Sequence, residues 1–168
     1  MKTYVVSISR TFPATHPRKG EPTGFREKIL NELIPCGLIE FNTVYKHGLD
    51  IEITGEKIHT IRANYDFWRK RIEQVWLGEA ELSLRYWSGK PRHSKQVEFL
   101  RLGKDDGVGI QKVEFKADEF GPVVDGENQF VSDLAVNDGL LLTDFTDWFK
   151  GYDLSKPLAI IHFTKFRY

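Results

Sequence analysis

Cysteine is nearly missing: Cys36 is the only one in 168 residues, and Met1 the only methionine. A lone thiol excludes an internal disulfide. Without a Cys-x-x-Cys pair or a Cys/His cluster, no structural zinc site is expected. Long apolar runs are also missing: no stretch approaches the roughly 18 residues that a membrane-spanning helix needs. The opening Met1-Lys2-Thr3-Tyr4-Val5-Val6-Ser7-Ile8-Ser9 is too short an apolar run for a signal peptide. A cytoplasmic protein with no membrane partner is therefore expected. The glycines form neither a P-loop nor a dinucleotide fingerprint, and the acids and histidines show no metal-ligand spacing, so neither cofactor nor metal is expected. Net charge is zero, with 24 basic against 24 acidic side chains.

What is present suits one folded domain over residues 1–168. Hydrophobic residues make up 40% and charged residues 29%, enough apolar material to bury a core without staples. Aromatics are abundant, with twelve Phe, six Tyr and four Trp, and much of that excess belongs in the core. Charge is segregated: residues 57–104 hold 11 Lys/Arg against 5 Asp/Glu, whereas residues 105–153 hold 3 against 12. Either a basic face awaits a polyanion or the two segments pair with each other across the fold.

Residues 4–8 read as a strand, and the proline- and glycine-rich stretch 11–24 as a loop. Phe25, Ile29, Leu33 and Ile34 recur at helical spacing up to Pro35. Residues 57–62 have strand composition, and Asn64 suits the N-cap of a helix carrying Phe67, Arg71, Ile72, Val75 and Trp76. Residues 80–87 and 96–102 alternate on either side of a turn at 88–93, which predicts a hairpin. A strand over 110–116, a turn at Asn137-Asp138-Gly139, a helix capped by Thr143 and an apolar strand over 158–163 complete the chain. Phe145, Trp148 and Phe149 lie at helical spacing and are expected in the core. The pattern predicts an α+β fold, with a mostly antiparallel sheet curling into a barrel and helices outside it.

Gly55-Glu56-Lys57-Ile58-His59-Thr60-Ile61-Arg62 resembles the G-x-K-x-x-T-x-R signature of ASCH domains. The order of elements over residues 50–168 is similar to that family too. Residues 1–50 and the long middle hairpin depart from it. The resemblance implies a PUA-like β-barrel and a ligand of RNA or nucleotide type. One small bacterial member hydrolyses the acetyl amide of 4-acetylcytidine, with the signature Lys and Thr as presumed base and nucleophile and a carboxylate from a late turn. Carried over, these roles fall on Lys57, Thr60 and Asp138, the last standing where that enzyme has Glu.

Arg62 is the expected contact for an anion or a base edge, because its planar fork suits phosphates and carbonyls. His59 has no partner carboxylate at a readable spacing and is expected to be an ordinary strand histidine. Asn-Asp-Gly is a good turn sequence whatever Asp138 does. Lys90, Arg92 and Lys95 flank the hairpin tip near Tyr86 and Trp87. Cations beside aromatics suit single-stranded nucleic acid, and equally an ordinary solvated hairpin. Three functions follow: a module binding RNA or a modified nucleoside, an amidohydrolase acting on acylated cytidine, and a protein–protein adaptor.

Overall fold

The computed structural model describes residues 1–35, 42–116 and 121–168, so Cys36 lies outside the described residues. Strand β1 (Lys2–Ser7) pairs in parallel with β3 (Ala80–Trp87), which pairs antiparallel with β4 (Gln96–Leu102), giving a sheet ordered β1-β3-β4. The second sheet contains β2 (His59–Ala63), β8 (Leu158–His162), β5 (Gly109–Glu114) and the two short strands β6 (Val123–Val124) and β7 (Glu127–Asn128), in the order β2-β8-β5-β6-β7. Every residue of β8 is buried, which is why its sequence is a continuous apolar run rather than an alternation. Both hairpin strands span the residues expected from their alternation, because one face of each is buried and the other is wetter.

Among the described residues, five α-helices accompany the sheets: α1 (Phe25–Leu33), α2 (Asn42–Lys46), α3 (Tyr65–Trp76), α4 (Val131–Asn137) and α5 (Leu142–Phe149). Asn64 caps α3 as expected, its side chain accepting the Phe67 amide. Helix α3 packs on β3 of the first sheet and on β5 and β8 of the second. Ile72 and Val75 of α3 join Leu82, Leu84, Val113, Ile160 and Ile161 in one buried cluster that includes Ile29 and Leu30 of α1. Each such fully buried aliphatic side chain contributes about 1.5–3 kcal/mol relative to exposure.

Two expectations are corrected and one element is added. The sheets do not close into a barrel: among the described residues, no backbone ladder joins the two sheets. Between β1 and β2 a side chain does the joining, the Arg62 guanidinium donating to the Ser7 carbonyl. A barrel requires every strand edge to pair, and alternation within strands carries no information about edges. Second, residues 131–137 form a helix that the sequence pattern does not announce. Third, α5 starts at Leu142, so Thr143 lies inside its first turn and is not its cap.

Candidate functional site

The unpaired seam between the sheets holds a cleft of about 210 Å³ whose lining includes Lys57, Thr60, Arg62 and Asp138. The side chains that the sequence singles out on two distant segments therefore meet. Strand β2 begins only at His59, so Lys57 precedes it and escapes the alternation that would otherwise turn it away from Thr60. Its segment is pinned by backbone bonds from Lys57 N to Lys28 O (3.1 Å) and from Ile58 N to Asn137 O (3.0 Å).

Asp138 is carried in by the end of α4. The Gly139 amide bonds to Val136 O and the Leu140 amide to Ala135 O, both at 2.9 Å, which is the Schellman arrangement of a helix C-terminus. Gly139 adopts φ +77°, where a Cβ would lie 3.1 Å from the Lys57 Cβ. Glycine thus serves both the turn and the close approach, and Asn-Asp-Gly is a helix end as well as a turn.

Lys57 is 2% exposed and its Nζ donates to Asp138 Oδ1 (2.6 Å) and to Asp138 O (2.7 Å). The ammonium also lies 4.2 Å from the centroid of the Phe25 ring. Burial pushes the Lys57 pKa down; Asp138 opposes that shift, while the charges of Arg62 and Lys28 add to it. Burial alone would raise the Asp138 pKa, but Lys57 and His59 beside it hold the carboxyl below its ordinary value.

His59 is not the isolated strand histidine that the sequence suggests. Its Nδ1 lies 3.6 Å from Asp138 Oδ1, and its Nε2 is 2.7 Å from the Tyr168 hydroxyl. Burial drives its pKa down. The sequence holds no local signal for this, because the partner carboxylate comes from a helix end far along the chain.

Arg62 projects into the same seam, with one guanidinium nitrogen on Ser7 O and a buried Nε that has no partner among the described residues. Apolar and aromatic walls come from Phe25, Trp87, Trp148 and Tyr152. Phe145 and Phe149 are core residues as expected, whereas Trp148 is only partly buried and faces the cleft. Tyr152, Ser7 and Phe25 escape sequence reasoning, since nothing in their own segments marks them.

The hairpin reaches the site through Trp87 and Pro91, which line this cleft and an adjoining one of about 360 Å³. Arg10 and Arg26 stand in that outer lobe beside Glu27. Lys90, Arg92 and Lys95 are exposed at the hairpin tip and do not line the inner cleft. The basic cations of β3, β4 and α3 are largely paired within their own segment, as Arg101 is with Glu81 and Glu98 and Arg69 with Glu73. Lys57–Asp138 is the ion pair that joins the basic segment to the acidic one among the described residues.

Among the described residues, no group of three or more His, Cys, Asp or Glu is placed to hold a metal ion, and no helix is long and apolar enough to cross a membrane. No protein-family model, curated protein or solved structure matches the chain.

Proposed function

We propose that the seam cleft binds a modified nucleobase, presented by a free nucleoside or within single-stranded RNA. The observation that carries this reading is the meeting of Lys57, Thr60, Arg62 and Asp138 in one cavity of about 210 Å³. That space suits one planar ring system. Phe25, Trp87 and Trp148 offer stacking surfaces, and the Arg62 guanidinium in the lining offers a donor for a ring carbonyl. The outer lobe, with Arg10 and Arg26, gives the sugar and any continuing strand a way out.

A second reading, hydrolysis of an acylated cytidine, draws on Lys57 in particular. A threonine hydroxyl attacks only if a base takes its proton, and burial favours the neutral amine that such a base requires. The ammonium proton is lost to solvent, and the ionised Asp138, 2.6 Å away, orients the amine. Lys57 Nζ would then accept the Thr60 hydroxyl proton as Oγ1 bonds to the acyl carbon. The C–N bond breaks with its electron pair on nitrogen, which is protonated from Lys57. Lys57, again neutral, takes a proton from the water that attacks the threonyl ester and returns it to Oγ1 as the ester C–O bond breaks, releasing acetic acid and regenerating Thr60.

The test is to titrate the protein with cytidine, 4-acetylcytidine and a short single-stranded RNA carrying the acetylated base, following Trp fluorescence and cytidine release. Saturable quenching that is lost in Arg62→Ala supports the cleft as a nucleobase site, and silence toward all three ligands overturns it. Cytidine release that is abolished by Thr60→Ala and by Lys57→Arg, with binding intact, supports the hydrolytic reading. Binding without release leaves the protein a binding module.

A further inference from the structure

From the cleft, a row of polar groups runs away from the ligand space: Lys57 Nζ, Asp138 Oδ1, His59, the Tyr168 hydroxyl and Asn137. The proposed chemistry uses only the first two. The Asn137 amide donates to the Tyr168 oxygen at 2.9 Å, which leaves the phenol proton free. The acceptor in reach is His59 Nε2 at 2.7 Å. An imidazole that accepts at Nε2 carries its proton on Nδ1. Nδ1 has no hydrogen-bond partner among the described residues and lies 3.6 Å from Asp138 Oδ1, close enough for its dipole to act on the carboxylate without a hydrogen bond. Tyr168 is itself clamped, its backbone amide donating to Gln111 Oε1 (2.9 Å).

We infer that His59 and Tyr168 are positioning residues for the Lys57–Asp138 pair: Tyr168 fixes the His59 tautomer, and His59 turns its Nδ1–H dipole on the carboxylate and keeps it ionised and oriented toward Lys57. The inference rests on Lys57 and Asp138 belonging to the ligand site, and it adds two residues that touch no ligand. The charged and titratable groups around the carboxylate are Lys57 ahead of β2, His59 and Arg62 on β2, and Tyr168. Lys28 on α1 acts on Lys57. Behind His59 stands His162 of β8, its ring centroid 5.6 Å away and neither of its nitrogens hydrogen-bonded among the described residues. A neutral His162 gives His59 no competing donor or charge, so the imidazole is left to answer to Tyr168 on one side and Asp138 on the other.

Two substitutions separate the nitrogens of His59. Asparagine sets an amide near the Nδ1 position, whereas glutamine reaches toward Nε2 and leaves the Asp138 side without a donor. The readout is the ¹³C shift of the Asp138 carboxyl group against pH, with no ligand present. In His59→Gln the midpoint is expected to rise by roughly half to one pH unit, because the ionised form loses a stabilising dipole. In His59→Asn it is expected to stay near wild type. Tyr168→Phe keeps the ring, frees the tautomer and is expected to raise the midpoint by a smaller amount. It carries the test alone should His59→Gln fail to fold. A wild-type midpoint in both His59→Gln and Tyr168→Phe overturns the inference, as does an equal rise in His59→Asn and His59→Gln. Since no ligand enters the measurement, failure of the protein to bind nucleosides leaves this result standing.

Discussion

Lys57 and Asp138 face each other out of water, which is a poor way to gain stability. Two buried ions lose hydration that their attraction barely restores, whereas removing one of them strands the other. Lys57→Met should therefore cost about 3 kcal/mol or more in urea unfolding, and the double substitution Lys57→Met with Asp138→Asn should recover more than half of that. Equal stability of the two variants would mean that the pair is not desolvated. A pair dispensable to the fold in this way is better explained by the cleft it lines. At this scale the sequence was legible only in part. Lys57, Thr60 and Arg62 stand together in one segment, so their spacing could be read. Asp138 could be placed in a tight turn, and its glycine neighbour is what the turn needs. His59 and Tyr168 could not be linked, because imidazole, carboxylate and phenol arrive from three separate parts of the chain.

Among the elements, the β3–β4 hairpin carries two kinds of chemistry at once. Its strands were legible to the residue because each has one wet face and one dry face. Closure of the sheets was not, because it depends on which edges pair, and here an Arg62 side chain spans the gap that a ladder would have filled. Helix α4 was missed for a related reason: it is seven residues long and has no side-chain cap, so neither period nor cap announces it. Where its strands meet the turn the hairpin gives Trp87 to the cleft, and at the tip beyond it exposes Lys90, Arg92 and Lys95. If the tip tracks a backbone, replacing those three cations by alanine should weaken single-stranded RNA binding. It should also flatten the dependence of log K on log salt by about 0.7 for each phosphate that is no longer neutralised. Binding of a free nucleoside should not change, since these three side chains, unlike Pro91 between them, do not line the inner cleft. A salt slope unaffected by the triple substitution would remove the tip from the interface.

Taken as a whole, the molecule places two imidazoles, His59 and His162, side by side where water does not reach. Both are fully buried and neighbours in the β2–β8 register. Burial drives the His59 pKa down, and burial with the nearby charges of His59 and Arg167 lowers that of His162 to about 2. In the unfolded chain each titrates near its ordinary value of about 6.5. Below that pH the unfolded state binds protons that the folded state refuses, so stability must fall as pH falls. The slope is about 1.4 kcal/mol per pH unit for each imidazole, and for His162 the loss continues until the folded group itself titrates near 2. Asp138 acts in the same direction, because its lowered pKa gives stability that is present above its unfolded value and is lost once the folded carboxyl is protonated. The protein should accordingly weaken steadily from about pH 6.5 downward. Replacing His162, whose ring nitrogens have no hydrogen-bond partner among the described residues, by phenylalanine removes one of the two imidazoles while filling much of the same space. In urea unfolding at pH 7 and pH 5, His162→Phe should lose less stability between the two pH values than wild type, by roughly 1–2 kcal/mol. An unchanged difference between the two pH values would show that His162 is already protonated in the folded protein or reaches water.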